Sequence, residues 1–219
     1  MEQEPFGSAE FAENPEPRVP CVLLLDISGS MAGRPIAELN EGLKTYQQEL
    51  SQDPLAAKRV EVAIVAFGGE VQVAADFVTA DKFIAPTLQP RGNTPMGTAI
   101  HRAIDMLDER KRIYRGNGIA YYRPWLFLIT DGAPSDDWKL AAERLKQAEH
   151  NKSLAFFVVG VSGADFAVLG QLSARQPLQL KGMRFQQLFQ WLSNSQKCVS
   201  RSAPGDEVKL STPEGWAKL

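Results

Sequence analysis

Short, almost continuous apolar runs recur along the chain, at Cys21 to Leu25, Val60 to Phe67, Trp125 to Thr130 and Leu154 to Val161. A strand with one wet face alternates apolar and polar residues. Runs of the present kind are buried on both faces, which requires a sheet covered on each side. Between them stand apolar residues at helical spacing: Ile36, Leu39, Leu43, Tyr46 and Leu50, then Met96, Ile100, Ala103, Ile104 and Leu107, then a helix from Trp138 to Ala148. Strands alternating with helices predict an α/β fold, doubly wound, with a mostly parallel central sheet and helices on both faces. Gly68-Gly69 joins the second run to another at Val71 to Phe77, which predicts a tight hairpin and one antiparallel edge strand. A short helix near Ala164 to Leu172, a strand at Leu178 to Leu180 and an amphipathic helix from Phe185 to Leu192 complete the alternation.

These elements place one domain over residues 19–195. Residues 1–18 are acidic and carry Pro5, Pro15 and Pro17, so they read as a flexible lead-in. Residues 196–219 are polar, with Pro204, Gly205, Pro213 and Gly215, and read as a loosely held tail. A chain of 219 residues can remove roughly 70% of its unfolded surface from water, so a metal is not needed to hold the fold. Cys21 and Cys198 lie in no zinc spacing and read as packed thiols. The start has no basic segment followed by an apolar one, and no stretch approaches the ~18 apolar residues of a membrane span. The expectation is a cytoplasmic protein without a membrane span. A net charge of −2 gives no footprint for nucleic acid, and the basic run Arg110 to Arg115 reads as a solvated helix end.

The chemistry gathers where the apolar runs stop. In open α/β sheets, ligands bind beyond the carboxyl ends of the strands. Asp26, Ser28 and Ser30 follow the first run, Thr130-Asp131-Gly132 closes another, and Gly92-Asn93-Thr94-Pro95 begins a helix for which Thr94 is the expected N-cap and Pro95 the first residue. Two carboxylates and three hydroxyls form an all-oxygen donor set, which suits a hard cation such as Mg²⁺ or Mn²⁺ rather than zinc, with Ca²⁺ ranked below them. Two aspartates only just neutralise a divalent ion, so an external carboxylate is a natural further ligand. The candidate metal ligands are therefore Asp26, Ser28, Ser30, Thr94 and Asp131. No catalytic or organic-cofactor residues are identified.

The pattern Leu23-Leu24-Leu25-Asp26-Ile27-Ser28-Gly29-Ser30-Met31, with Thr94 and Asp131, resembles the metal-ion-dependent adhesion site of von Willebrand factor A domains, a Rossmann-like family. The resemblance runs from about Val19 to Leu192. It implies that Ser28, Ser30 and Thr94 approach the metal directly or by exchange with water, that Asp26 and Asp131 often act through water, and that a partner's acidic side chain completes the coordination. Gly92 to Gly97, Thr130 to Trp138 and the Phe185 to Ser195 segment with Trp191 also resemble the TerY-type bacterial proteins of tellurium-resistance and stress-response clusters. That likeness implies a bacterial adaptor whose partners are a serine/threonine kinase, a PP2C-type phosphatase or another tellurium-resistance protein. Some of those relatives carry a cysteine-rich zinc module after the domain, where this chain has only Cys198.

Other readings are weaker. A haloacid-dehalogenase-like phosphohydrolase needs an acid two residues after its nucleophile, and position 28 holds serine; Asp136-Asp137 is a poor substitute. Capping of the Trp138 helix explains those two aspartates better. No phosphate-binding loop follows Gly29, and His101 and His150 fit ordinary helix positions. Glu10, Glu13 and Glu16 are tethered near enough in sequence to compete for the metal's open position.

Overall fold

The computed structural model describes residues 7–218, with side chains from Glu10 onward. Seven strands form one sheet: β1 (Val19–Asp26), β2 (Val60–Gly68), β3 (Glu70–Thr79), β4 (Trp125–Thr130), β5 (Ala155–Gly160), β6 (Leu178–Leu180) and β7 (Ala217–Lys218), in the order β3-β2-β1-β4-β5-β6-β7. From β2 through β6 the pairings are parallel, and β3 lies antiparallel against β2. The helices are α1 (Gly7–Glu13), α2 (Arg34–Ser51), α3 (Ala56–Arg59), α4 (Met96–Gly116), α5 (Lys139–His150), α6 (Phe166–Leu172) and α7 (Phe185–Ser200).

Alternate residues of β1 feed two separate cores. Cys21, Leu23 and Leu25 pack with Leu39, Leu43 and Tyr46 of α2 and with Phe185, Leu188 and Phe189 of α7. Val22 and Leu24 pack on the opposite face with Ile100, Ala103 and Leu107 of α4, Leu145 of α5 and Leu169 of α6. This double covering is the doubly wound arrangement expected from apolar runs without alternation. The chain moves outward from β1 in both directions, to β2 and β3 on one side and to β4 on the other. The reversal of strand order between β1 and β4 opens a crevice beyond their carboxyl ends.

Both chain ends depart from expectation. Residues 1–6 of the expected flexible lead-in lie outside the described residues, but from Gly7 the chain folds. Phe11 of α1 is buried and stacks over two guanidiniums, 5.4 Å from that of Arg18 and 5.2 Å from that of Arg110. One aromatic ring thus docks a segment whose composition is otherwise too polar to bury. The basic run is likewise not simply solvated. Arg110 and Tyr114 are buried, because Glu61, alone among apolar neighbours in β2, needs their hydrogens. Its carboxylate accepts from Arg18 Nε at 2.9 Å, from Arg110 Nε and Nη2 at 2.7 and 2.9 Å, and from the Tyr114 hydroxyl.

The expected loose tail returns to the sheet. Helix α7 continues to Ser200, past the expected domain end at 195, and β7 pairs antiparallel with β6, giving a second antiparallel edge. Trp216 supplies the anchor: it is buried, and its ring lies 5.3 Å from that of Trp191. One buried tryptophan removes enough apolar surface to hold a short polar segment. Cys21 is packed as expected, and burial pushes its thiol up to about 12, whereas Cys198 is exposed. No described helix is long and apolar enough to cross a membrane.

Candidate functional site

Asp26 ends β1 and Thr130 ends β4, so the parallel register brings them to the same crevice. Asp26 is fully buried, and both its carboxylate oxygens are engaged: Oδ1 accepts from Ser28 N at 2.8 Å and Oδ2 from Thr130 Oγ1 at 2.5 Å. The loop then turns so that Ser28 Oγ lies 3.0 Å from Ser30 Oγ, which donates to Asp131 Oδ1 at 2.7 Å. Thr94 closes the group from the start of α4. A methyl group at Gly132 would stand 3.2 Å from Thr94 Oγ1 and 3.8 Å from Asp26 Oδ2, so this glycine brings the Thr94 hydroxyl and the Asp26 carboxylate to one place. All five residues singled out in the sequence therefore stand around one crevice.

The loops carrying these residues are joined backbone to backbone. Arg91 N donates to Ile27 O at 2.6 Å, Gly29 N to Gly92 O at 2.9 Å, and Gly69 N to Asn93 O at 2.8 Å. Gly92 has φ +61°, and a Cβ there would lie 2.4 Å from Gly69 Cα. Only glycine gives both that conformation and that approach. The hairpin Gly68-Gly69, which the sequence shows as a turn, is thus also a support that sets Thr94 against Ser28 and Ser30.

Burial, with a smaller contribution from Asp131, raises the Asp26 carboxyl above the usual carboxylate range, against the opposing hydrogen bonds from Ser28 and Thr130. Burial also raises Asp131, against the bond from Ser30. Two buried carboxylates surrounded by neutral hydroxyls have no counter-charge among the described residues, an arrangement that a hard divalent cation, which prefers oxygen donors, would fit. Since Asp26 is already hydrogen-bonded at both oxygens, it is placed to orient Ser28 and Thr130 and to balance charge, while the serine and threonine hydroxyls and Asp131 offer the direct oxygens.

Two expectations change at the rim. Thr94 does not cap α4, whose first residue is Met96 and which has no side-chain cap from its own preceding residue. Asp136 does this instead, accepting from Gly97 N at 2.9 Å and Thr98 N at 2.8 Å. Asp137 remains local to the expected helix, accepting from Lys139 N at 3.1 Å. Asp136 is therefore committed to α4, not available as the acid of a phosphohydrolase. Thr130 was missed as a contributor because it reads as a strand residue; a hydroxyl at the end of an apolar run was its only sequence signal. Among the described residues, the acidic lead-in does not reach the crevice: Glu10 faces Arg110, Glu16 pairs with Arg59, and Glu13 lines the same surface hollow as Glu10 and Glu16, at the other end of the sheet. The eight residues of β1 separate these ends by roughly 25 Å.

A family model for the von Willebrand factor type A domain matches residues 21–187. No curated protein matches the chain. Among solved structures, it is similar to the pilus adhesin SpaC of Lactobacillus rhamnosus GG, with 12% identity and TM-score 0.69, over 84% of this chain and 30% of the adhesin. Manganese-loaded TRAP protein of Plasmodium vivax is 22% identical with TM-score 0.53, over 73% of this chain and 65% of that one. Proximal thread matrix protein 1 of the mussel byssus, with a zinc-occupied MIDAS motif, is 15% identical with TM-score 0.55, over 84% and 48%. The chain thus spans less than two thirds of each of these proteins, and at these identities the likeness is one of fold.

Proposed function

Because this chain belongs to the von Willebrand factor type A domain family, whose members serve in adhesion and protein interaction, we propose that it is a non-catalytic, metal-dependent binding module. One observation carries the reading. Asp26, Ser28, Ser30, Thr94 and Asp131 converge on one crevice, with two buried carboxylates that form no ion pair among the described residues. Ser28, Ser30, Thr94 and Asp131 would hold Mg²⁺ or Mn²⁺, with Asp26 behind them. The ion would supply a positive centre for a partner's aspartate or glutamate. Two relatives of this fold are named as holding manganese and zinc, which supports a divalent ion without selecting Mg²⁺.

The finer assignment is a bacterial cytoplasmic adaptor in a tellurium-resistance or stress-response assembly, partnered with a serine/threonine kinase, a PP2C-type phosphatase or another tellurium-resistance protein. Its support is the resemblance of Gly92 to Gly97, Thr130 to Trp138 and Phe185 to Ser195 to TerY-type proteins.

Calorimetric titration with Mg²⁺ and Mn²⁺ tests the metal directly. The expected result is one site per chain, lost in Thr94→Ala and Asp131→Ala. Equal heats in the parent and both variants would sink the assignment. Removing the partner's acidic side chain should weaken a metal-dependent complex about 10- to 150-fold, the scale of a charge-assisted contact of roughly 1.5–3 kcal/mol.

A further inference from the structure

Beside the crevice, on the same edge of the sheet, lies a cavity of about 420 Å³ bounded by Arg34, Glu38, Lys181, Met183, Arg184 and Gln187. Helices α2 and α7 run parallel here: Gly42 meets Phe185 and Phe189, Tyr46 meets Gln196, and Glu49 pairs with Lys197. Their first turns consequently open at the same edge. Arg34 begins α2 only four residues after Ser30, and Lys181 follows the last residue of β6.

The charge is one-sided although the whole chain is net −2. Three cations face one carboxylate. Arg34 lies 3.5 Å from Glu38 with its own side chain 76% exposed, a weak pairing. Lys181 and Arg184 form no ion pair among the described residues. The returning chain end holds both in place: Lys181 N donates to Trp216 O at 2.8 Å, and the Arg184 guanidinium donates to Gly215 O. Neither α2 nor α7 has an acidic residue in its first turn, so the positive ends of both helices add to the field of the side chains.

Resting on the metal-bridged reading above, we propose that this cavity is a second anchor for the same partner, which is an acidic segment carrying two carboxylates: one for the metal and one for Arg34, Lys181 and Arg184. Four residues of chain reach at most about 14 Å, which bounds the backbone distance from Ser30 to Arg34. An extended partner strand covers that span in about four residues. The segment recognised is therefore an aspartate- or glutamate-rich stretch with its two anchoring acids within about four residues of each other, not a lone acid in neutral surroundings.

Fluorescein-labelled glycine-serine peptides test this by anisotropy, with one aspartate, with two aspartates four residues apart, or with two aspartates twelve apart. In saturating Mg²⁺ the closely paired peptide should bind about fivefold to tenfold more tightly than the single-aspartate one. That ratio should fall toward one in the double variant Lys181→Gln/Arg184→Gln, whose fold is checked by circular dichroism, and at raised salt. Equal binding of the single and closely paired peptides, or an advantage that survives in the double variant, overturns the second anchor and leaves the metal reading standing. An equal advantage at twelve-residue spacing overturns the stated geometry. Peptide binding that is absent, or indifferent to chelator and to Asp131→Ala, overturns the metal-bridged reading itself and the anchor with it.

Discussion

Two fully buried carboxylates stand near opposite ends of the same sheet, Glu61 where β2 begins and Asp26 where β1 ends. Glu61 is answered from within the chain by two guanidiniums and a phenol, and the Phe11 ring lies over both guanidiniums. Among the described residues, Asp26 receives only neutral donors, including Ser28 N and Thr130 Oγ1, and has Asp131 as a like-charged neighbour. A buried charge is costly unless paired. One end of the sheet meets that requirement with its own residues and becomes structural. On the proposed function, the other leaves it open to a cation from solution, which is what a binding site needs.

The sharpest way to break this contrast is Glu61→Ala. It leaves Arg18 and Arg110 buried without their counter-charge and should cost about 3–5 kcal/mol in urea unfolding. A loss below about 1 kcal/mol would show that the network is not the structural half of the comparison. From the other side, Mg²⁺ at a hundredfold excess over its dissociation constant should stabilise the parent by about 2.7 kcal/mol. A thermal scan should show the gain vanish in Thr94→Ala and persist in a Glu61→Gln variant; a gain in Thr94→Ala would remove the functional half.

Phe11→Ala tests the covering ring and should cost about 2 kcal/mol of stability while leaving Mg²⁺ binding intact, because α1 is remote from the crevice. A change in metal affinity measured by calorimetry would couple the two ends. Gly92→Ala acts where the loops cross. The left-handed conformation alone should cost about 1–2 kcal/mol, and displacement of Thr94 should abolish the response to Mg²⁺. Unfolding and titration of the same sample separate these effects, and an unchanged metal affinity would show that the glycine contact does not position the site.

The convergence of the five candidate residues was more legible than the contacts that support it. Asp26, Ser28, Ser30, Thr94 and Asp131 could be read because polar residues after apolar strands have one place to go in a doubly wound sheet. Both-face burial likewise shows in composition, so β1, β2, β4 and β5 were visible as runs. What escaped were single residues whose partners are far away in sequence. Asp136 caps a helix that begins 40 positions earlier, and Glu61 selects Arg18 and Arg110 from segments that read as flexible or solvated. Phe11 and Trp216 each anchor a polar segment that local composition describes as loose. Local patterns cannot report such contacts, because one ring or one ion pair outweighs the average of its neighbours only after the chain has folded.

The backbone contacts among Ile27, Gly29, Gly69 and Gly92 also bear on time. With no side chain between them, the three loops have little room to part, and hydrogen bonds link Ser28 to Ser30 and Ser30 to Asp131. On the proposed function, metal binding then needs no rebuilding of a loop. The slow step for Mg²⁺ would be the ion's own reluctance to give up water. The clock of such a site would be set by the cation and the partner that follows it, with the protein waiting in place.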